Sequence, residues 1–323
     1  MSGINTSASG REQGTRRAIY AAFTANLLIA IFKFVAGLLS GSAALLAEGA
    51  HSVADTTNQI FLLVSMRFAK SAPDEEHPYG HGKDRFFWSL LVAVSLFVAG
   101  AVFSVYTGVR AITGGEGGHH EAFWIGYLVL GAAFVFECGA LFVAVREFRH
   151  AARKEGRSFW NYFRVTRNTT LKVPLYEDTA ALMGLVIAAA GLLLTQMTGN
   201  QLYDGIASIA VGAVLIAVAW ELGTDSRGLL LGESMLPEDR ERIREVISSF
   251  DEVESVLRLL TMHLGPSSTL VNAEVHLIDG LDTNDIESLL ERINQKISQE
   301  TPEVSQTFIE LHPVEGSEGG DKR

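Results

Sequence analysis

A chain of 323 residues with a formal charge of −11 has room for more than one domain and carries the wrong sign for a nucleic-acid partner, whose phosphates require a basic surface. Its single cysteine, Cys138, excludes an intramolecular disulfide and a thiolate zinc cluster, so any bound metal must be held by His and carboxylate groups. The charge is unevenly placed: residues 233–323 hold 20 Asp and Glu against 8 Lys and Arg, while apolar runs fill the first two thirds.

Residues 1–17 are polar, lack the pattern of a secretory signal peptide, and are expected to form a tail. Crossing a bilayer as a helix takes about 20 mainly apolar residues, and six stretches qualify: 19–39, 43–66, 86–109, 123–145, 174–197 and 202–222. The N-terminal tail and the loops 67–85 and 146–172 hold 15 Lys and Arg, whereas the three alternate connections, 40–42, 113–121 and 198–201, hold none. Basic loops stay inside, so both termini are expected in the cytoplasm of a multi-pass protein of the plasma (inner) membrane.

Beyond the spans, a helix opened by Pro-Glu-Asp at 237–250 precedes strand-like runs at 253–264 and 269–278, a helix at 283–300 and a strand at 305–312. The expected fold is therefore an all-α membrane domain of six transmembrane helices (18–232) plus a C-terminal α+β ferredoxin-like domain of order αββαβ (233–313), then a disordered tail (314–323).

Ionisable side chains in hydrocarbon are costly and mark a pathway or a partner. The second span carries Glu48, His51, Asp55, Asn58 and Gln59. His51 and Asp55 stand four apart, on one helix face, so an imidazole nitrogen and a carboxylate oxygen can converge on one ion. Glu177 and Asp178 on the fifth span supply the facing acids; a helix N-terminus at the membrane rim is the other reading of that pair. Lys33 is expected to snorkel or to pair with an interior acid, since it would repel a cation. Asn26, Glu137 and Asp204 either line a path or bond a neighbouring helix.

The run from Gly41 through Glu48 and His51 to Asp55, followed by His77-Pro-Tyr-Gly-His81-Gly-Lys83, resembles the cation diffusion facilitator family of zinc transporters, over nearly the whole chain. The resemblance implies a homodimeric metal/proton antiporter with a tetrahedral site between spans two and five, a transporter and not an enzyme. One feature departs from the family. Its fifth span usually repeats His-x-x-x-Asp, whereas counting back from Thr198-Gly199 places Glu177 at the His position and Ala181 at the Asp position. The Glu-Asp pair resembles the zinc transporter 9-like subgroup and implies one imidazole with two or three carboxylates. A second register puts Asp178 in the site instead. Zinc is the expected cargo and a possible cytoplasmic regulatory ion, with manganese and iron as alternatives because oxygen-rich sites suit harder ions; a metal sensor that moves nothing is the rival function. The resemblance further implies a loop site of Asp74, His77 and His81, a tail site of His263, Glu274, His276 and His312, and a Lys83–Glu233 pair that locks a dimer.

Overall fold

A computed structural model describes residues 23–24, 26–68, 73–114, 123–166, 168–266 and 268–313. The expected tails at 1–17 and 314–323 lie outside these, as do residues 19–22 of the first expected span. The chain divides into two compact units, residues 1–68 with 86–227, and residues 69–85 with 228–323. The loop after the second span thus belongs with the C-terminal domain.

The first unit is all helix: α1 (Asn26–Ser40), α2 (Ala43–Phe68), α3 (Asp84–Thr113), α4 (Phe123–Lys154), α5 (Phe159–Val165), α6 (Thr169–Thr198) and α7 (Leu202–Leu231). Four of them, α3, α4, α6 and α7, are long and apolar enough to cross a membrane. The polar residues of α2 dilute its apolar content, although its 26 residues rise about 39 Å, more than a hydrocarbon core of about 30 Å. Within α3, Leu96–Val102 takes the wider π-helical turn. The ends of α4, α6 and α7 reach past the apolar runs that identify them, because helix-forming charged residues such as Arg146, Glu147 and Lys154 continue the same backbone. Helix α6 stops at Gly199, whose φ of 69° is open to glycine without strain. The short α5, capped by the Ser158 hydroxyl accepting from Asn161 N–H, has no counterpart among the six expected spans.

Between membrane helices there is little hydrophobic gain, so association rests on close packing at small residues. A Cβ on Gly126 would meet Leu192 and Leu45 at 2.8 and 3.0 Å, one on Gly100 would meet Leu215 at 2.9 Å, and one on Gly184 would overlap the Glu48 carboxylate. Around them lie Leu45, Leu130, Leu185 and Leu192 in one buried cluster, and Leu96, Val211 and Leu215 in another. Asp204 on α7 closes the start of α2: its carboxylate accepts from the Ser42 hydroxyl at 2.6 Å and from Ala43 N–H. A negative charge there also suits the helix dipole, so Asp204 is a structural cap. Gly184→Ala is expected to push Glu48 aside and to cost about 1–3 kcal/mol as an overpacked site, read as a lower thermal unfolding midpoint of the purified protein.

The second unit has the order α8 (Pro237–Ser248), β1 (Val253–Gly265), β2 (Ser268–Leu277), α9 (Thr283–Glu300) and β3 (Val304–Leu311). The sheet order is β1-β2-β3, with β1 and β2 antiparallel and β2 and β3 parallel. This is the expected αββαβ unit. Ile243 and Ile247 of α8 and Leu289, Ile293 and Ile297 of α9 recur at helical spacing and are buried with Val271, Ala273 and Val275, so both helices cover one face of the sheet. Asp282 caps α9 in a reciprocal capping box with Asp285. The loop 73–85 packs on this domain: the Tyr79 and Phe308 rings meet edge to face at 6.4 Å, and Lys83 Nζ lies 3.8 Å from Met262 Sδ.

Candidate metal centre

Helix α2 presents its polar residues as one stripe. Glu48, His51, Ser52, Asp55, Asn58 and Gln59 fall at the three- and four-residue spacing of one helix face. Each contributes buried atoms with no hydrogen-bond partner among the described residues: Glu48 Oε1, both His51 ring nitrogens, Ser52 Oγ, Asp55 Oδ1, Asn58 Oδ1 and Gln59 Oε1. An unsatisfied buried polar atom costs about 1–3 kcal/mol, so a row of them needs a ligand or water to account for it. His51 Nε2 lies 3.7 Å from Asp55 Oδ2, close enough for one ion to bridge them.

The facing acids come from α6. The Asn58 amide donates to Glu177 Oε1, joining the two helices. Asp55 lies within electrostatic reach of Glu177, Glu137, Lys33 and Asp178. His51, Asp55, Glu177 and Asp178 therefore share one neighbourhood, with Glu137 on α4 nearby and Glu48 one turn before His51. Lys33 on α1 pairs with Glu48 at 2.9 Å, and both side chains are wholly buried. Asn58 had no assigned role in the sequence reading; its place seven residues past His51, on the same stripe, was the available signal.

The loop cluster is a second convergence. Asp74 Oδ1 lies 3.2 Å from His77 Nδ1, and Asp74 Oδ2 lies 3.1 Å from His81 Nε2. One ligand atom from each of the three residues falls within 4.8 Å of the others, the only such trio among the described residues. His77 N–H donates to Asp74 at 2.6 Å, and that backbone bond, followed by the His81 ring, holds the Asp74 carboxyl below its ordinary value of 3.8. The loop's carboxylate is therefore ionised at neutral pH. Its contribution to order declines as pH drops from 3.8 and is gone below the depressed value.

The tail residues do not form one cluster. His263, on the helix-covered face of β1, sits opposite Thr269, with Nδ1 3.2 Å from the Thr269 hydroxyl. Glu274 and His276 alternate with the buried Ala273 and Val275 and so lie on the other face; His276 is opposite Ser255, eight residues along β1 from His263. That separation is about 26 Å at the rise of a strand. The four-residue tail site thus loses His263, because strand register and pleat place it at the opposite end and face. His276 and His312 do come together, with His276 Nδ1 2.9 Å from the His312 carbonyl oxygen and Nε2 3.4 Å from Glu254. Glu274 is engaged by Arg258 at 3.4 Å.

An all-helical bundle carrying a stripe of buried His, carboxylate and amide groups, joined to an αββαβ domain, defines a membrane protein with a polar site among its helices. Comparison with known proteins gives the family: residues 19–231 match the cation efflux transmembrane domain, and residues 235–314 match the cation efflux protein cytoplasmic domain. The chain belongs to the cation efflux family, the cation diffusion facilitators. It is 34% identical over 307 residues to the human proton-coupled zinc antiporter SLC30A9, mitochondrial, covering 93% of this chain and 53% of that protein. It is 34% identical over 265 residues to metal tolerance protein C4 of Arabidopsis thaliana, covering 82% and 57%. Against the manganese efflux system protein MneP of Bacillus subtilis (strain 168) it is 27% identical over 313 residues, covering 95% and 98%. The chain spans about half the length of the zinc antiporter relatives it matches.

Proposed function

We propose that the chain exports a divalent metal cation, zinc first, in exchange for protons, through a site formed by His51, Asp55 and Glu177, with Asp178 at its edge. The observation that carries this reading is the stripe of unpartnered buried atoms on α2 facing the acids of α6. The donor set offers one imidazole and several carboxylates, which suits zinc and also accepts manganese. The human relative is named as a zinc antiporter and the Bacillus relative as a manganese efflux protein, in keeping with that breadth.

Every group in this site binds metal only when deprotonated, so loading a cation releases protons. Exporting a divalent cation against an inside-negative potential of 100 mV costs twice the roughly 2.3 kcal/mol per charge, and each returning proton offsets one charge's worth. Asp74, His77 and His81 then serve as a cytoplasmic metal site, and the αββαβ domain as the homodimer contact. We place the chain in the plasma (inner) membrane with both termini cytoplasmic, on the distribution of its basic loops. The human relative's name places that protein in mitochondria, and microscopy of a tagged chain decides between the two locations.

Purified protein in sealed vesicles tests the proposal. Zinc uptake should rise with an imposed proton gradient of the right sign, and manganese in excess should compete. Uptake indifferent to the gradient would refute proton exchange, and metal binding without flux would leave a sensor. Asp74→Ala should lower the bound zinc by one ion per chain while the membrane site still loads, read by equilibrium dialysis of the full chain.

A further inference from the structure

We propose that the segment joining α4 to α6 is a docking surface for anionic phospholipid headgroups. In a chain whose net charge is −11, residues 146–172 hold eight Lys and Arg and only two acids, Glu147 and Glu155. Arg146, Arg149, Arg153, Lys154 and Arg164 are exposed, and among the described residues none of them has a carboxylate within ion-pair distance. Arg146, Arg149 and Arg153 fall three and four residues apart along α4, so they form one stripe.

A count of basic residues would by itself only orient the chain, but these cations stand on a built platform. Helix α4 continues through the segment as one element, its apolar part ending at Val145, and the chain reverses at Gly156, whose φ is 64°. Helix α5 then folds back on α4 through aromatic contacts. Phe148 is fully buried against Phe159 and Tyr162, with ring centroids 5.0 Å away in each case. The Arg149 guanidinium lies 6.0 Å from the Phe159 centroid. Trp160, 69% exposed, packs edge-on against Phe159 and Phe163 and turns outward.

The position selects the occupant. Phe142 and Val143 are exposed on α4 immediately before the first arginine, so the lipid-facing surface of the span runs directly into the basic stripe. An exposed Trp beside unpaired cations where an apolar span ends is the arrangement of an interfacial anchor, whose complement is the phosphodiester layer of the leaflet. A soluble acidic protein or a nucleic acid would leave Trp160 and the adjoining apolar surface unexplained.

The full chain, purified in a neutral detergent, is titrated with dioleoylphosphatidylglycerol, with dioleoylphosphatidylcholine and with inorganic phosphate, and thermal unfolding is followed. Phosphatidylglycerol is expected to raise the midpoint and the other two to leave it unmoved. In Arg146→Gln/Arg149→Gln/Arg153→Gln/Lys154→Gln the midpoint without added lipid should fall by no more than about 4 °C, the cost of the Arg149–Phe159 contact. The lipid association constant should fall roughly 600-fold, each of the four cations near the surface being worth roughly a factor of five. As a second measurement on the unaltered protein, brominated phosphatidylglycerol should quench the tryptophan emission that Trp160→Phe removes. Equal stabilisation by phosphatidylcholine or by inorganic phosphate, a retained response in the fourfold variant, or the absence of Trp160 quenching would each overturn the proposal.

Discussion

Replacing Asp55 by alanine is expected to lower zinc flux into sealed vesicles by at least about 100-fold while the protein still folds, because the proposed site loses one of its ligands. Asp55 has one oxygen 3.7 Å from the His51 ring and the other buried without a partner, so its removal relieves desolvation and destroys the site together. Glu177→Ala should fail in the same way. Glu177 on the facing helix lies within electrostatic reach of Asp55, and Asn58 donates to its carboxylate, fixing its direction. Adjacent helical residues point about 100° apart, which turns Asp178 partly away, so Asp178→Asn should still bind metal and lose part of the dependence on the proton gradient. Asn58→Ala should raise the KM for zinc about 10- to 100-fold, the usual cost of removing a group that orients a ligand. Glu177→His should recover part of the flux and narrow the cargo toward zinc, since imidazole favours that ion over harder ones. Normal transport by Glu177→Ala with a dead Asp178→Ala would reverse the two assignments.

Much of this arrangement could be read before any coordinates, and the reason differs from element to element. The four helices long and apolar enough to span, α3, α4, α6 and α7, were legible because hydrocarbon imposes a length and a composition, and their ends moved: α4 runs to Lys154 because the basic residues after Val145 are good helix formers. The αββαβ domain was legible because Ile243 and Ile247, and Leu289, Ile293 and Ile297, keep helical spacing beside strands that alternate around Val271, Ala273 and Val275. Helix α5 escaped because seven residues give too little periodicity, and its stability comes from Phe148 on another helix. In the site, the four-residue spacing of His51 and Asp55 was local information. The Asn58–Glu177 and Asp204–Ala43 contacts join residues more than a hundred positions apart, which no periodicity encodes. The tail cluster failed for a related reason: two His residues on adjacent strands are near or far according to register, and β1 and β2 pair so that His263 meets Thr269.

Lys33→Met is expected to destabilise the protein by about 3–5 kcal/mol, the usual consequence of leaving one member of a buried ion pair without its partner. The two groups meet at 2.9 Å with neither side chain exposed, and Glu48 Oε1 already lacks a partner, so the lysine is the one neutralising contact that Glu48 makes among the described residues. Relief by movement is blocked, because Glu48 lies against Gly184 so closely that even a Cβ there would overlap it. The paired substitution Lys33→Met/Glu48→Gln removes both charges and should recover most of the loss in thermal unfolding. Its transport distinguishes scaffold from machinery. Glu48 stands one turn before His51, and Lys33 lies within electrostatic reach of Asp55, so the pair also bears on the charge of the proposed site. If the paired variant folds well yet binds zinc with an altered KM and an unaltered dependence on the proton gradient, Lys33 and Glu48 tune the cargo's hold without carrying its protons. A paired variant that remains as unstable as Lys33→Met would show that the lysine's packing, and not its charge, holds α1 to α2.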